Sequence, residues 1–149
     1  MLPRTKAIAT ASVRLGTNQD EIFAFLVEPK NTQLWNEAVK YVSHRPAGPI
    51  RPGSVVLCSV HFLGVTTQAT YRYISIDSPD RCCGEGSSRY VTYRDRFELA
   101  TPSIAGWTDV SWWVEIEYPS AFPLPASWVS DTITRELNAK LQALKEIFE

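Results

Sequence analysis

Apolar residues follow a helical repeat over the last twenty residues of the chain. Five of them recur at spacings of four, four, three and four, namely Ile133, Leu137, Leu141, Leu144 and Phe148. This spacing places them along one side of a helix. The pattern predicts an amphipathic helix over residues 130–149, with Ser130 or Asp131 as its N-cap. Such a helix is about 28 Å long and needs an apolar surface of equal length to pack against.

Alternating apolar and polar positions predict strands in most of the remaining chain. One strand is expected at residues 8–15, and the others follow at 55–63, 66–76, 82–86, 89–99 and 107–118. The turns between the later strands are short and rich in Gly, Pro, Ser and Asp. Connections of this length require antiparallel neighbours, because a parallel pair needs a long crossover.

Two short helices are expected between the first strand and the others. Asn18, followed three positions later by Glu21, resembles a capping box, and an apolar run follows it until Pro29. Asn31 opens a second short helix, which carries Val39 and fades soon after it. The predicted order is therefore a strand, two short helices, a series of strands and one long helix.

Composition and charge exclude several functional classes. The net charge is −1 without any block of like charge, so we expect no nucleic-acid partner and no attraction to anionic membranes. No apolar run approaches the length of a membrane span. Three cysteines, two of them adjacent, do not form a disulfide framework, which favours a reduced, cytoplasmic protein. The 149 residues suit a single domain, residues 1–149.

Several local stretches carry a resemblance to a known family. They are residues 18–26 leading to Trp35, the turn Arg51-Pro52-Gly53, the segment ISIDSPDR at 74–81, residues 107–117, and Leu144-Lys145-Glu146. Together they resemble the START-like (SRPBCC) helix-grip superfamily, and within it the polyketide cyclase/dehydrase-like group. The resemblance implies an α+β fold, in which a curved antiparallel sheet of about six to seven strands grips the C-terminal helix. It also implies a cavity for an apolar small molecule between sheet and helix.

The resemblance gives three functional interpretations. The favoured one is a cofactor-independent cyclase or dehydratase (a lyase or isomerase) of secondary metabolism that acts on a polyketide-like or lipid-like molecule. Holding a flexible substrate in a reactive conformation can by itself supply about 7 kcal/mol. The alternatives are a non-enzymatic carrier or sensor of lipid-like ligands, and a regulator that binds a partner through the Pro-rich loop at residues 118–127. A monomer and a homodimer are both compatible with the sequence.

Side-chain alternation assigns an inward and an outward face to the last two strands. The inward residues are Thr108, Val110, Trp112, Val114 and Ile116 in one, and Val91, Tyr93, Asp95, Phe97 and Leu99 in the other. Asp95 is then a carboxylate on an apolar face, and burial would raise its pKa towards a range useful for proton transfer. It is a candidate general acid or base. The alternatives are a structural partner of an inward Arg or Tyr, and a bulge that turns Asp95 to water.

The two preceding strands each allow two orientations. In the strand at 66–76, the inward set is either Gln68, Arg72 and Ile74, or Ala69, Tyr71 and Tyr73. An inward Arg72 would be a counter-ion for Asp95. In the strand at 55–63, the inward set is either Val55, Leu57, Ser59, His61 and Leu63, or Ser54, Val56, Cys58, Val60 and Phe62. An inward His61 would supply a group that titrates near neutrality.

The candidate site comprises two sets of residues. The candidate catalytic residues are Asp95, Tyr93 and His61. The candidate ligand-binding residues are Arg72, Tyr71, Tyr73, Gln68, Phe97, Trp112, Val110, Trp35, Phe122, Leu137 and Leu141, with Phe122 as a lid over the cavity mouth. No phosphate loop, nucleophile elbow or metal-ligand spacing is present in the sequence, so we expect no cofactor and no metal. The pattern Gly84-Glu85-Gly86 is a weak signal beside a turn.

Overall fold

The computed structural model describes residues 2–62 and 64–149. Within these residues the strands are β1 (Arg4–Leu15), β2 (Val39–Arg45), β3 (Val55–Phe62), β4 (Val65–Asp77), β5 (Arg81–Ser87), β6 (Thr92–Ala100) and β7 (Thr108–Pro119). The helices are α1 (Gln19–Val27), α2 (Pro29–Thr32) and α3 (Ala126–Ile147). The strands form one sheet in the order β1-β7-β6-β5-β4-β3-β2, and every neighbouring pair is antiparallel. The predicted α+β architecture is confirmed.

The long C-terminal helix is present and lies along β1. Its buried residues are Val129, Ile133, Leu137, Leu141 and Leu144, so the apolar repeat faces the sheet as predicted. The predicted N-cap at Ser130 or Asp131 is wrong, because α3 begins at Ala126 and its cap is Pro125. Pro125 makes no side-chain cap, but its fixed φ of −59° suits the start of a helix, and its carbonyl accepts from the Val129 N–H.

The second predicted helix is much shorter than expected. It ends at Thr32, and the segment from Val39 forms β2, which is the edge strand beside β3. Val39 and Tyr41 are half-buried while Lys40 and Val42 are exposed, which is the alternation of a strand. The apolar pair Trp35 and Val39 also fits a helical spacing, so only the backbone pairing with β3 decides between the two structures.

One end of the core is tightly packed. There α1 packs against the end of α3, as shown by the edge-to-face contact of Phe25 with Phe148, whose ring centroids are 5.2 Å apart. We call the residues buried at this end the packed cluster; they are at most 1% exposed and comprise Leu15, Ile22, Val110, Leu141 and Leu144. No helix among the described residues combines the length and hydropathy that crossing a membrane requires.

Candidate ligand-binding site

A cavity of about 190 Å³ lies between the sheet and α3. Its wall consists of the inward faces of β3, β4, β6 and β7, the flank of α3, and the segment around α2. Most of the lining side chains are apolar or aromatic, as in small-molecule sites generally. An apolar cavity of about 150 Å³ is enough to hold benzene, so this cavity accepts a molecule of at least one ring.

The tyrosines of β4 face the cavity. Ala69 and Tyr73 are buried, Tyr71 is half-buried, and all three line the cavity. Gln68 and Arg72 are exposed on the opposite face and do not line the cavity, contrary to the orientation on which their predicted ligand contacts depended. Arg72 Nη2 lies 3.3 Å from Glu85 Oε1, an outer-face ion pair that leaves Arg72 unable to act as the counter-ion of Asp95.

A bulge explains why the sequence of β4 was ambiguous. The register with β5 shifts between Tyr73 and Ser75, so Ile74 is an extra residue that is 45% exposed. After the bulge, Ile76 pairs with the buried Cys82 and packs against the core. Ile74 and Ile76 therefore point to opposite faces although they are two positions apart, and the alternation argument based on them fails.

His61 is exposed and borders the cavity only at its margin. The inward residues of β3 are Val56, Cys58, Val60 and Phe62. His61 is exposed at the cavity margin, where its Nδ1 lies 2.9 Å from Thr66 Oγ1. The predicted catalytic role of His61 depended on an inward orientation, which β3 does not give it, and that role stays a prediction. Leu63, which belonged to the same predicted set, lies outside the described residues.

Asp95 is the polar centre of the cavity wall. It is 8% exposed, and its Oδ1 accepts from Tyr71 Oη at 2.6 Å while its Oδ2 accepts from Trp112 Nε1 at 3.2 Å. None of the ion pairs among the described residues includes Asp95. Burial raises the pKa of Asp95 to about 6, and the two hydrogen bonds oppose that rise. A carboxyl group with this pKa can accept and return a proton near neutral pH.

Two glycines of β5 make room for the tyrosines. A Cβ at Gly84 would overlap the hydroxyl of Tyr71, and a Cβ at Gly86 would overlap the ring of Tyr93. Gly84 is also the register partner of Asp95. The missing side chain therefore lets the Tyr71 hydroxyl lie across β5 and reach the carboxylate. The Gly-Glu-Gly pattern was visible in the sequence, but its meaning depends on the orientation of β4.

Trp35, Phe97 and Trp112 form an aromatic cluster on the same wall. Phe97 and Trp112 are stacked with centroids 5.0 Å apart, and Trp35 meets them edge-on at 6.1 and 5.4 Å. The two indole N–H groups differ in their partners. Trp112 donates to Asp95, whereas the buried Nε1 of Trp35 has no hydrogen-bond partner within residues 2–62 and 64–149.

Comparison with known proteins finds similarity in structure alone. No protein-family model and no curated protein matches the chain. A START superfamily protein from Mycobacterium smegmatis matches with a TM-score of 0.78 and 14% identity, over 95% of this chain and 96% of that one. A conserved protein from Geobacillus kaustophilus gives 0.73 and 12%, over 95% and 94%. Ara h 8.0201 gives 0.67 and 14%, over 97% and 98%.

The chain has the START-like helix-grip fold. The resemblance noted in the sequence is thus confirmed for the architecture, which is what similarity at these identities shows. In this helix-grip fold, Tyr73, Tyr93 and Leu137 also line the cavity. The Tyr73 hydroxyl donates to the Val27 carbonyl at 2.7 Å and so fixes the end of α1 against the sheet.

Three predicted ligand contacts lie elsewhere in the helix-grip fold. Val110 and Leu141 belong to the packed cluster, because α1 closes over that end of the sheet, and neither residue lines the cavity. Phe122 packs against Tyr90, with ring centroids 5.6 Å apart, and is not part of the lining either. The cavity lining therefore does not support the lid role expected for Phe122.

Sequence reasoning missed two charged residues of α3 that line the cavity, Glu136 and Lys140. Their side chains form an i,i+4 pair with Nζ and Oε2 4.0 Å apart, and burial lowers the pKa of Lys140. The signal was present, because Lys140 lies three residues after Leu137 and four before Leu144, which is a position of the apolar stripe.

Proposed function

We propose that this protein binds a hydrophobic small molecule in the cavity and that Asp95 acts on it as a general acid or base in a cyclisation or dehydration. The main observation that supports the proposal is the buried carboxyl of Asp95, which lies on the cavity wall and forms no ion pair among the described residues. Its pKa of about 6 suits proton transfer near neutral pH. The fold supports the binding part of the proposal, because it typically binds hydrophobic ligands.

The chemistry requires little more than one titrating group. In a cyclisation of the aldol type, the ionised carboxylate takes a proton from a carbon next to a carbonyl, and the resulting enolate attacks a second carbonyl. The protonated carboxyl then returns the proton to the new alkoxide. In a dehydration, the carboxylate takes the proton from the carbon next to the carbonyl. The resulting carboxylic acid then protonates the departing hydroxyl, which leaves as water as the C=C bond forms.

The tyrosines beside Asp95 remain donors throughout. Burial raises the pKa of Tyr71 and of Tyr93 well above the ordinary value for a phenol, so both hydroxyls stay protonated at neutral pH. Tyr71 fixes one oxygen of Asp95, and the stacked ring of Tyr93, 5.9 Å away, holds Tyr71 in place. The apolar wall would supply the positioning of the substrate.

A non-enzymatic carrier is the second candidate function. It is favoured by one observation, which is that both oxygens of Asp95 already accept a hydrogen bond from the protein. In a carrier, these bonds would only offset the cost of burying the carboxyl. The cavity would then hold its ligand without changing it.

The test combines ligand identification with one substitution. Native mass spectrometry of the protein purified from its own host identifies the molecule that copurifies with it, and that molecule serves as the substrate to be tested. Asp95→Asn preserves the shape but cannot transfer the proton. We expect turnover to fall by about a hundred- to ten-thousand-fold with the ligand still bound.

The matched control is Asp109→Asn, which makes the same change on the outer face, where Asp109 pairs with Arg14 at 2.7 Å. This variant should retain full turnover and binding. If neither variant affects turnover, or if the protein consumes none of the copurified molecule, the carrier function is supported instead. If no molecule copurifies and none enters the cavity in titrations, the binding proposal itself fails.

A further inference from the structure

The indole N–H of Trp35 is a buried donor without an acceptor. Trp35 is 4% exposed, and its Nε1 forms no hydrogen bond within the described part of the chain. A buried donor of this kind is rare in folded proteins, because leaving it unpaired costs free energy. Trp35 also lines the cavity, although its Nε1 atom has less than 1 Å² of accessible surface. A bound molecule is therefore the natural source of an acceptor if a small shift of the ring brings Nε1 to the cavity.

The neighbouring indole supplies an internal comparison. Trp112 belongs to the same aromatic cluster and lies edge-on to Trp35 at 5.4 Å. Its N–H is buried too, but it donates to Asp95 Oδ2 at 3.2 Å. The Trp35 ring makes edge contacts with Phe97 and Trp112. Trp35 is therefore held by its ring contacts, and its N–H makes no contribution to that packing.

We propose that Trp35 Nε1 donates a hydrogen bond to an oxygen of the ligand, and that the ligand is an uncharged, ring-sized molecule carrying a carbonyl group. This inference deepens the proposed function and rests on it. The size follows from the cavity volume of about 190 Å³. A carbonyl oxygen is the acceptor that the proposed chemistry already requires, because the proton that Asp95 would remove lies next to one.

The charges of the lining exclude an ionised ligand. Asp95 would repel an anion, and the ammonium of Lys140 is already 4.0 Å from the carboxylate of Glu136. A cation would pair with Asp95, but it would then leave Trp35 unpaired, since a positively charged group offers no acceptor. An uncharged carbonyl compound is the class that satisfies the Trp35 donor without placing a further charge in the apolar cavity.

The experiment uses two probes that differ only in the acceptor. Cyclohexanone and methylenecyclohexane have the same ring, and an oxygen in one replaces a CH₂ group in the other. Neither is aromatic, so neither adds a ring-current shift of its own. The protein is labelled with ¹⁵N, and the indole signal of Trp35 is assigned by its disappearance in Trp35→Phe. The methyl signals of Val114 and Leu137, which line the cavity, report whether either probe enters.

We expect both probes to move the methyl signals and cyclohexanone alone to move the Trp35 indole proton downfield, as hydrogen bonding requires. Trp128 is the control, because it is 47% exposed and its indole signal should respond to neither probe. The ratio of the affinities for the ketone and the alkene should fall by roughly tenfold in Trp35→Phe. In that variant no unpaired indole N–H remains to weaken the binding of the alkene.

Two results would overturn the inference in distinguishable ways. If cyclohexanone moves the methyl signals but not the Trp35 indole, and the preference is unchanged in Trp35→Phe, then Trp35 is a packing residue and the proposed function is unaffected. If neither probe moves the methyl signals up to its solubility limit, the cavity does not bind small molecules. The proposed function then fails, and this inference fails with it.

Discussion

The packed cluster and the cavity share two elements, α3 and β7, but these elements are filled differently in the two regions. On α3, Leu141 and Leu144 belong to the cluster, whereas Leu137, one turn earlier, lines the cavity. On β7, Val110 is fully buried in the cluster, whereas Trp112 lines the cavity only two residues later. The difference arises because α1 closes over one end of the sheet. A shift of one helical turn therefore separates residues that stabilise the fold from residues available to a ligand.

Buried polar groups show the same contrast. Next to the packed cluster, Thr108 is fully buried and its hydroxyl donates to the Thr17 carbonyl at 2.7 Å. On the cavity wall, Asp95 is held with a raised pKa and the Trp35 N–H has no partner in the described chain. Unfavourable polar burial is tolerated where function requires it, so the contrast supports assigning function to the cavity.

The largest expected effect compares two leucines of α3. Leu141→Ala should lower the free energy of unfolding by about 2–5 kcal/mol, because it leaves a hole in a fully packed site. Leu137→Ala should cost less, since its side chain already borders the cavity and loses fewer contacts. Chemical denaturation of both variants measures the difference. Equal costs would mean that the two ends are packed alike.

The next effect concerns Asp95 and stability. The pKa is raised from 3.8 to about 6 in the folded protein, so the native state binds the proton more tightly than the unfolded chain does. The contribution of Asp95 to stability is therefore greatest below pH about 4 and falls as the pH rises to about 6, by about 3 kcal/mol in total. Asp95→Asn lacks this titration and should be at least as stable as the wild type at pH 8.

Denaturation curves between pH 4 and pH 8 provide the measurement for Asp95→Asn. The control is Asp109→Asn. Arg14 lowers the pKa of Asp109, so the contribution of Asp109 to stability changes with pH in the opposite direction. For Asp109, the stabilising ion pair is lost as the pH falls. A strong loss of stability in Asp95→Asn at pH 8 would show that a cation balances Asp95, contrary to the observed partners.

A smaller effect is expected at the glycines of β5. Gly84→Ala should cost about 1–3 kcal/mol, because its methyl group displaces the Tyr71 hydroxyl from Asp95. In a Tyr71→Ala background the same change should cost less, since the hydroxyl and the ring carbons that overlap the methyl group are then absent. Gly16→Ala is the control, because its nearest neighbour would be the Trp107 ring at 3.4 Å, an ordinary contact. Thermal midpoints that do not separate Gly84→Ala from Gly16→Ala would contradict the close approach.

The smallest effect is expected for the Pro-rich loop. Phe122→Ser removes the contact with Tyr90 and should lower the thermal midpoint. It should leave the affinity for cyclohexanone unchanged, because Phe122 is not part of the cavity lining. Isothermal titration of the variant checks this. A clear loss of affinity would restore the lid function that the sequence suggested.

The sequence predicts the architecture well because its strongest patterns are long. The apolar stripe that includes Leu137 and Leu141 requires a long helix, and the charged outer face of β6 determines the inward orientation of Asp95. The edge strand β2 was missed, because Val39 fits a helix and a strand equally and only its pairing with Val60 settles the matter. A strand or helix pattern is contained within one segment of the sequence, whereas strand pairing joins segments that are distant in sequence.

The site could be predicted only in part, for the same reason. Asp95 was identified because a charge on an apolar face is visible in the sequence. Its partner Trp112 already lay on the predicted inward face of β7, but its partner Tyr71 required the orientation of β4, which the bulge at Ile74 obscures. The indole N–H of Trp35, which has no partner among the described residues, could not be identified from the sequence. A missing hydrogen bond is a property of three-dimensional contacts.

The central claim is that the cavity wall holds a buried carboxyl prepared for proton transfer. The most direct measurement is the titration of the Asp95 side-chain carbon by ¹³C NMR, with the signal assigned through Asp95→Asn. We predict a midpoint near pH 6, which moves higher in Tyr71→Phe because the Tyr71 hydrogen bond lowers the pKa of Asp95. A midpoint at or below pH 4 in both proteins would show an ordinary, solvated carboxylate and would contradict the account.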